Sequence, residues 1–226
     1  MFAAVAPRYD LLNWLLSFGQ DQRWRRALVA ALPVLRRGDR LLDLCTGTGD
    51  LAYVLAAAGG ADVAVHGADF CEPMVRRAPD KFAGKSPRPR FLVADALALP
   101  VRDRSYRAVS VAFGLRNVEA PKRAVAEMAR VLVPGGRLLV LEFARPRQPV
   151  FAALYRMYFF TVLPLLGRLL SERAGAAYRY LPESVWSFAQ APELADWFRA
   201  AGLTVLEQRP LLCGAVVLHV AEQPGA

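Results

Sequence analysis

The chain has 226 residues, 55% hydrophobic and 22% charged, and its 29 Lys and Arg exceed 20 Asp and Glu to leave a net charge of +9. That much apolar surface excludes a disordered tail, and a globular domain of this length buries roughly 70–75% of its unfolded surface. Cys45, Cys71 and Cys213 stand far apart, with no Cys-x-x-Cys or Cys/His grouping, so neither a disulfide framework nor a zinc site is expected, no metal is implied, and a reducing cytoplasm fits.

In chain order, residues 1–38 read as a helical cover: Leu11, Leu12, Leu15 and Leu16, then Trp24, Leu28, Leu32 and Leu35, recur at helical spacing, and Pro33 and Gly38 mark the exit. The residues before Asp10 lack the basic start and apolar run of a signal peptide. Short apolar strands then alternate with helices: strand Arg40–Cys45, helix Asp50–Ala58, strand Val63–Ala68, a helix from Glu72, strands Arg90–Val93 and Ala108–Phe113, helix Pro121–Leu132, and a Pro134-Gly135-Gly136 turn into strand Leu138–Phe143. Alternation of this kind predicts an α/β, Rossmann-like, mostly parallel seven-stranded sheet with helices on both faces, binding ligand beyond the carboxyl ends of its strands. Residues 144–190 break the rhythm as a helical insertion, Ala195–Ala201 is a further helix, and Leu203–Gln208 with Gly214–Ala221 predicts a closing hairpin through Arg209-Pro210. A single domain over 1–226 is expected.

The sharpest local signal is Asp43-Leu44-Cys45-Thr46-Gly47-Thr48-Gly49-Asp50, an apolar strand running through Gly-x-Gly into a helix. The glycines allow close backbone approach, and the helix start presents free N–H groups. Asp69 follows Gly49 by 20 residues, at the end of the second strand, where an acid accepts hydrogen bonds from both ribose hydroxyls. The same pattern fits a relaxed dinucleotide fingerprint through Ala52. Against NAD, none of the lysines Lys81, Lys85 and Lys122 lies four residues after a tyrosine.

Asp43 ahead of the Gly-x-Gly, with Asp69 behind it, resembles the first motif of class I S-adenosylmethionine-dependent methyltransferases. Cys45 stands where many members carry a first glycine. Four further stretches resemble the C-methyltransferases of menaquinone and ubiquinone biosynthesis: Tyr9-Asp10-x-x-Asn13, Phe113-Gly114-Leu115-Arg116-Asn117, Arg130-Val131-Leu132-x-Pro134-Gly135-Gly136 through Leu141-Glu142-Phe143, and Tyr178-Arg179-Tyr180-Leu181-Pro182-Glu183-Ser184. The resemblance spans nearly the whole chain. It implies S-adenosyl-L-methionine as cofactor, with Asp43, Gly47, Thr48, Gly49, Asp69, Asp95 and Ala96 at its site. It also implies a prenylated quinol as acceptor, most directly demethylmenaquinol, with the benzoquinol of ubiquinone synthesis or another lipid-like acceptor as alternatives.

Carbon methylation needs a quinol that sheds a phenolic proton, so the enzyme positions two reactants and assists deprotonation. Arg116 and Asn117 after strand four, and Tyr9 and Asp10 on the N-terminal cover, are the candidate catalytic residues; Arg116 suits phenolate stabilisation and Asp10 suits a base. His66 and His219 sit within strands and are expected to be structural. The apolar stretch from Tyr155 to Leu170, with Arg156 and Arg168, fits a tail groove, a lipid contact, core or a homodimer surface, but is too short to span a bilayer, which takes about 20 residues. The positive charge, almost all arginine, suits an anionic membrane surface at the inner face of the cell membrane, or reflects composition alone. With two asparagines and no Asn-Pro-Pro-Tyr motif, amino methylation of nucleic acid is not expected.

Overall fold

The computed structural model describes residue 17, residues 19–162 and residues 172–225, with the backbone alone for 172–179. Tyr9, Asp10, the first group of leucines, and Leu163, Leu166, Arg168, Leu169 and Leu170 lie outside the described residues. Seven strands, β1 (Arg40–Leu44), β2 (Ala64–Asp69), β3 (Arg90–Val93), β4 (Tyr106–Ala112), β5 (Leu132–Phe143), β6 (Thr204–Leu211) and β7 (Val216–Glu222), form one sheet in the order β3-β2-β1-β4-β5-β7-β6. The first five are parallel, and β7 enters antiparallel between β5 and β6.

The strands are apolar in succession because both faces are covered. Leu42, Leu44, Val109, Val111, Leu138 and Val140 face one layer, where α4 (Pro121–Val131) and α7 (Ala191–Ala200) contribute Met128 and Phe198. Leu41, Leu139, Leu141 and Leu218 face the other, against Trp24 and Leu28 of α1 (Asp21–Ala30) and Leu51 and Leu55 of α2 (Asp50–Gly59). Burying each such side chain contributes roughly 1.5–3 kcal/mol. Helix α3 (Glu72–Lys81) packs on β2 and β3. The 144–190 region holds α5 (Pro149–Met157), a π-turn at Tyr158–Val162 and α6 (Glu172–Ser187).

Three sequence expectations are corrected. Helix α1 stops at Ala30, so Leu32 and Leu35 follow it in irregular chain; the restriction that Pro33 puts on its predecessor already ends the helix there. Pro134-Gly135-Gly136 lies within β5: Leu132 pairs with Tyr106 and Arg137 with Ala108, so residues 133–136 bulge out of a ladder that then resumes. The final hairpin turns at Leu212–Gly214, while Arg209 and Pro210 remain in β6. As the outer strand, β6 tolerates a proline whose missing N–H costs no ladder bond on its open side.

Candidate active site

Strand order reverses between β2-β1 and β1-β4, and the loops at that point frame a cleft of about 350 Å³. The first loop leaves β1 through Cys45 and Gly47, both at positive φ, and enters α2 through Gly49 at φ +88°. A Cβ on Gly49 would lie 2.6 Å from Phe91 Cζ, so both conformation and space require glycine there. Across the cleft, Asp69 at the end of β2 binds the loop: its Oδ2 accepts from Gly47 N at 2.8 Å and its Oδ1 from Cys71 N at 2.8 Å. Burial raises the Asp69 pKa, and the backbone donors of Cys71, Gly47 and Phe70 oppose that rise.

Asp43 serves the loop from beneath. It is buried, accepts from Thr46 Oγ1 at 2.6 Å and from Ser110 Oγ at 2.8 Å, and does not line the cleft. Burial pushes its pKa up to about 7 from the ordinary 3.8, against the pull of the two hydroxyls. Folding therefore favours the protonated form. The stabilisation from this group is complete below pH 3.8 and is lost as pH rises through about 7, at up to about 1.4 kcal/mol per pH unit. Asp43→Asn keeps two hydrogen bonds, because each hydroxyl can turn to donate or accept. In urea unfolding at pH 5 and pH 8, the stability of Asp43→Asn relative to the parent should rise with pH; an unchanged difference would place the carboxyl's titration elsewhere.

Gly47, Asp69, Asp95, Ala96 and Asn117, all expected at the site, line the cleft together with Phe70, Cys71, Met74, Leu97, Phe113 and Gly114. Thr48, Gly49, Asp43 and Arg116 do not. Thr48 accepts from Lys81 Nζ at 3.1 Å, on the side of α3. Sequence reasoning missed Phe70, an aromatic ring 78% exposed beside Asp69; its signal was the bulky apolar residue directly after the strand-end acid. A two-oxygen acceptor for a diol, an exposed ring for a flat heterocycle and a second acid at the rim, Asp95, fit a nucleoside with a short substituent. S-adenosylmethionine has that shape and chemistry, so the residues present fit it.

The far wall is the turn Phe113–Asn117 after β4. Phe113 has φ +57°, a strained conformation of the kind that clusters at functional sites. Its carbonyl accepts from Arg116 Nη1 and from Asn117 Nδ2, and Asn117 Oδ1 accepts from Tyr180 Oη at 3.0 Å. A Cβ on Gly114 would meet Cys45 Cβ at 2.3 Å, so the β1 and β4 loops touch. Arg116 is not an exposed loop residue: it pairs with Glu142 of β5 at 2.7 Å, with side-chain exposures of 8% and 2%. Glu142 also accepts from Phe143 N at 2.9 Å. Sequence reasoning read Glu142 only as part of a longer stretch; an acid inside an otherwise apolar strand was the available signal.

The histidines sit apart from the cleft. His66 Nδ1 meets Tyr106 Oη at 2.9 Å and His219 Nδ1 meets Gln208 Nε2 at 3.0 Å. Burial lowers both pKa values, that of His219 to about 4. Among the described residues, no group of three or more His, Cys, Asp or Glu could hold a metal ion, and no helix is long and apolar enough to cross a membrane.

The profile of the ubiE/COQ5 methyltransferase family matches residues 1–223. The chain is 50% identical to the demethylmenaquinone methyltransferase of Thermus thermophilus, over 99% of this chain and 100% of that one. It is 48% identical to the protein of the same name from Deinococcus radiodurans, over 99% and 91%. Among solved structures, it superposes with a TM-score of 0.71 on a chain from the complex between the Haloferax volcanii Trm112 methyltransferase activator and a methyltransferase, at 20% identity over 99% and 98% of the two chains.

Proposed function

The chain belongs to the ubiE/COQ5 methyltransferase family, and we propose that it methylates a ring carbon of a prenylated quinol, demethylmenaquinol, to give menaquinol. It is an S-adenosylmethionine-dependent methyltransferase. The reading is carried by the two near-full-length relatives, both of which bear the name demethylmenaquinone methyltransferase.

In this reading Asp69 receives the ribose hydroxyls, Phe70, Asp95 and Ala96 the adenine, and the Gly47–Gly49 loop the remaining backbone contacts, with Thr48 and Asp43 shaping that loop. When bound, S-adenosylmethionine supplies a methyl group made electrophilic by its sulfonium sulfur. The chain's own work is positioning and charge. The acceptor gives up a phenolic proton, which drives electron density onto the ring carbon; that carbon forms the new bond to the methyl group as the methyl–sulfur bond breaks, its electron pair leaving with S-adenosylhomocysteine, and the carbon later releases its hydrogen as a proton. The fixed cation of Arg116 stabilises the phenolate, Asn117 orients the ring from the cleft wall, and Asp10, with Tyr9 next to it in the chain, takes the proton directly or through water. The test is transfer of labelled methyl from S-adenosylmethionine to paired demethylmenaquinol and demethylated benzoquinol, with bulk RNA alongside. Label in the naphthoquinol product is expected. Label in the benzoquinol alone would move the enzyme to ubiquinone synthesis, and label in RNA alone would end the quinol reading.

A prenylated acceptor resides in lipid, and the outer surface of α5 suits one. Val150, Leu154, Met157 and Phe160 are 66%, 55%, 55% and 45% exposed, at spacings that align them along α5 and its π-turn, with Arg147 and Arg156 exposed nearby. We assign this stripe to the inner face of the cell membrane. Leu154→Ser/Met157→Ser/Phe160→Ser should cut co-sedimentation with anionic vesicles severalfold without lowering the melting temperature. Unchanged sedimentation, with a dimer that dissociates instead, would make the stripe a contact between two copies.

A further inference from the structure

We infer that Asp50, acting through Lys81 and Arg25, is a positioning residue that holds the cofactor loop in shape from outside the cleft. The inference concerns the cofactor alone and stands apart from the identity of the acceptor.

The loop between β1 and α2 carries Gly47 and Gly49, both at positive φ, and glycine loses more freedom on ordering than any other residue. A ligand that must order such a loop itself binds more weakly by that cost. The first half of the loop is held by acids of the strands: Asp43 accepts from Thr46 Oγ1, and Asp69 from Gly47 N. The second half is held from α3. Gly49 has no side chain, so α3 comes close to it: a Cβ there would lie 3.1 Å from that of Ala78. Lys81 follows Ala78 by three residues, on the same face of α3, and its ammonium reaches both neighbours of Gly49. Lys81 Nζ lies 2.6 Å from Asp50 Oδ1 and donates to Thr48 Oγ1 at 3.1 Å. One ammonium has three donors, so it serves both at once.

Asp50 extends the hold to a third helix. Its Oδ2 lies 3.3 Å from Arg25 Nη2 of α1, which also pairs with Asp21 at 3.1 Å. Charge alternates along Asp21, Arg25, Asp50 and Lys81, and one carboxylate joins α1, α2 and α3. Both cations come from anchored helices, since Trp24 and Leu28 of α1 and Met74 and Ala78 of α3 are buried. Linked charges of this kind act more strongly than an isolated surface pair. Asp50, Lys81 and Arg25 do not line the cleft, so they reach a ligand there only through the loop they hold.

An acid at the first residue of a helix also favours the helix dipole, but that rival account involves no lysine. The test compares the parent with Asp50→Asn, Lys81→Met and the double variant. Binding of S-adenosylmethionine and S-adenosylhomocysteine is measured by calorimetry without acceptor, well below the unfolding transition, with melting temperatures alongside. Each single substitution should weaken both ligands by roughly three- to tenfold, and the double variant should bind no worse than the weaker single, because the two residues act as one unit. Melting temperatures should stay close to the parent's, since partly exposed ion pairs carry little stability. Parental affinity in Lys81→Met would overturn the inference and leave Asp50 as a helix-start acid. Losses that add in the double variant would also overturn it, by showing two separate effects. With no acceptor present, a failure of quinol methylation would leave this test untouched.

Discussion

Asp69→Ala should lower affinity for S-adenosylmethionine by about 100- to 1000-fold, measured by calorimetry on folded protein. Two charge-assisted hydrogen bonds to a ribose diol are worth roughly 3–4 kcal/mol together, and every 1.4 kcal/mol is about tenfold. The side chain has a second duty that enlarges the effect. Its two oxygens accept from Gly47 N and Cys71 N, so it ties the β1 loop to the start of α3 before any ligand arrives. Asp69→Asn is therefore not conservative. An amide has one acceptor oxygen, and whichever way it turns, its NH2 faces one of those two backbone donors. Asn and Ala should both lose binding, with Asn nearer to Ala than to the parent. An Asp69→Asn variant with parental affinity would show that the carboxylate is not the ribose acceptor.

Asp69 was legible in the sequence because its setting is local. A strand, a Gly-x-Gly turn, a helix and a second strand repeat within 30 residues, and the acid at the strand end falls on the ligand edge whatever the rest of the chain does. Asp95 and Ala96 follow from the same geometry one strand later. Thr48 shows where that reasoning stops: its place in the loop is readable, but its contact with Lys81 depends on how α3 packs. Glu142 lies further from reach. The meeting of Glu142 with Arg116 follows from the offset between β4 and β5, where Ala112 pairs with Leu141 after the 133–136 bulge. No periodicity in the chain encodes that offset. The last turn failed for a related reason: Arg209-Pro210 has turn composition, yet an outer strand accepts proline, and Leu212 and Cys213 adopt positive φ beside Gly214 instead.

The Arg116–Glu142 pair offers the clearest separation of stability from catalysis. Glu142→Ala leaves a buried guanidinium uncompensated and should cost about 3–5 kcal/mol, which for a chain of this size lowers the melting temperature by about 10 °C. Arg116→Met/Glu142→Leu removes both charges and fills similar volume, so most of that loss should return. Methyl transfer should not return with it. The cation proposed to stabilise the phenolate is gone, and so is the Nη1 contact that holds the Phe113 carbonyl and the turn carrying Gly114 and Asn117 into the cleft wall. Loss of one such preorganised donor costs about 100-fold in kcat, while affinity for S-adenosylmethionine, which we propose rests on Asp69 across the cleft, should stay near the parent's. Thermal unfolding and single-turnover transfer on the three proteins read the two effects independently. A double variant that regains both stability and turnover would make the ion pair structural alone. One that regains stability and remains slow shows that this fold bears the desolvation cost of a buried pair for the sake of the charge it holds beside the acceptor.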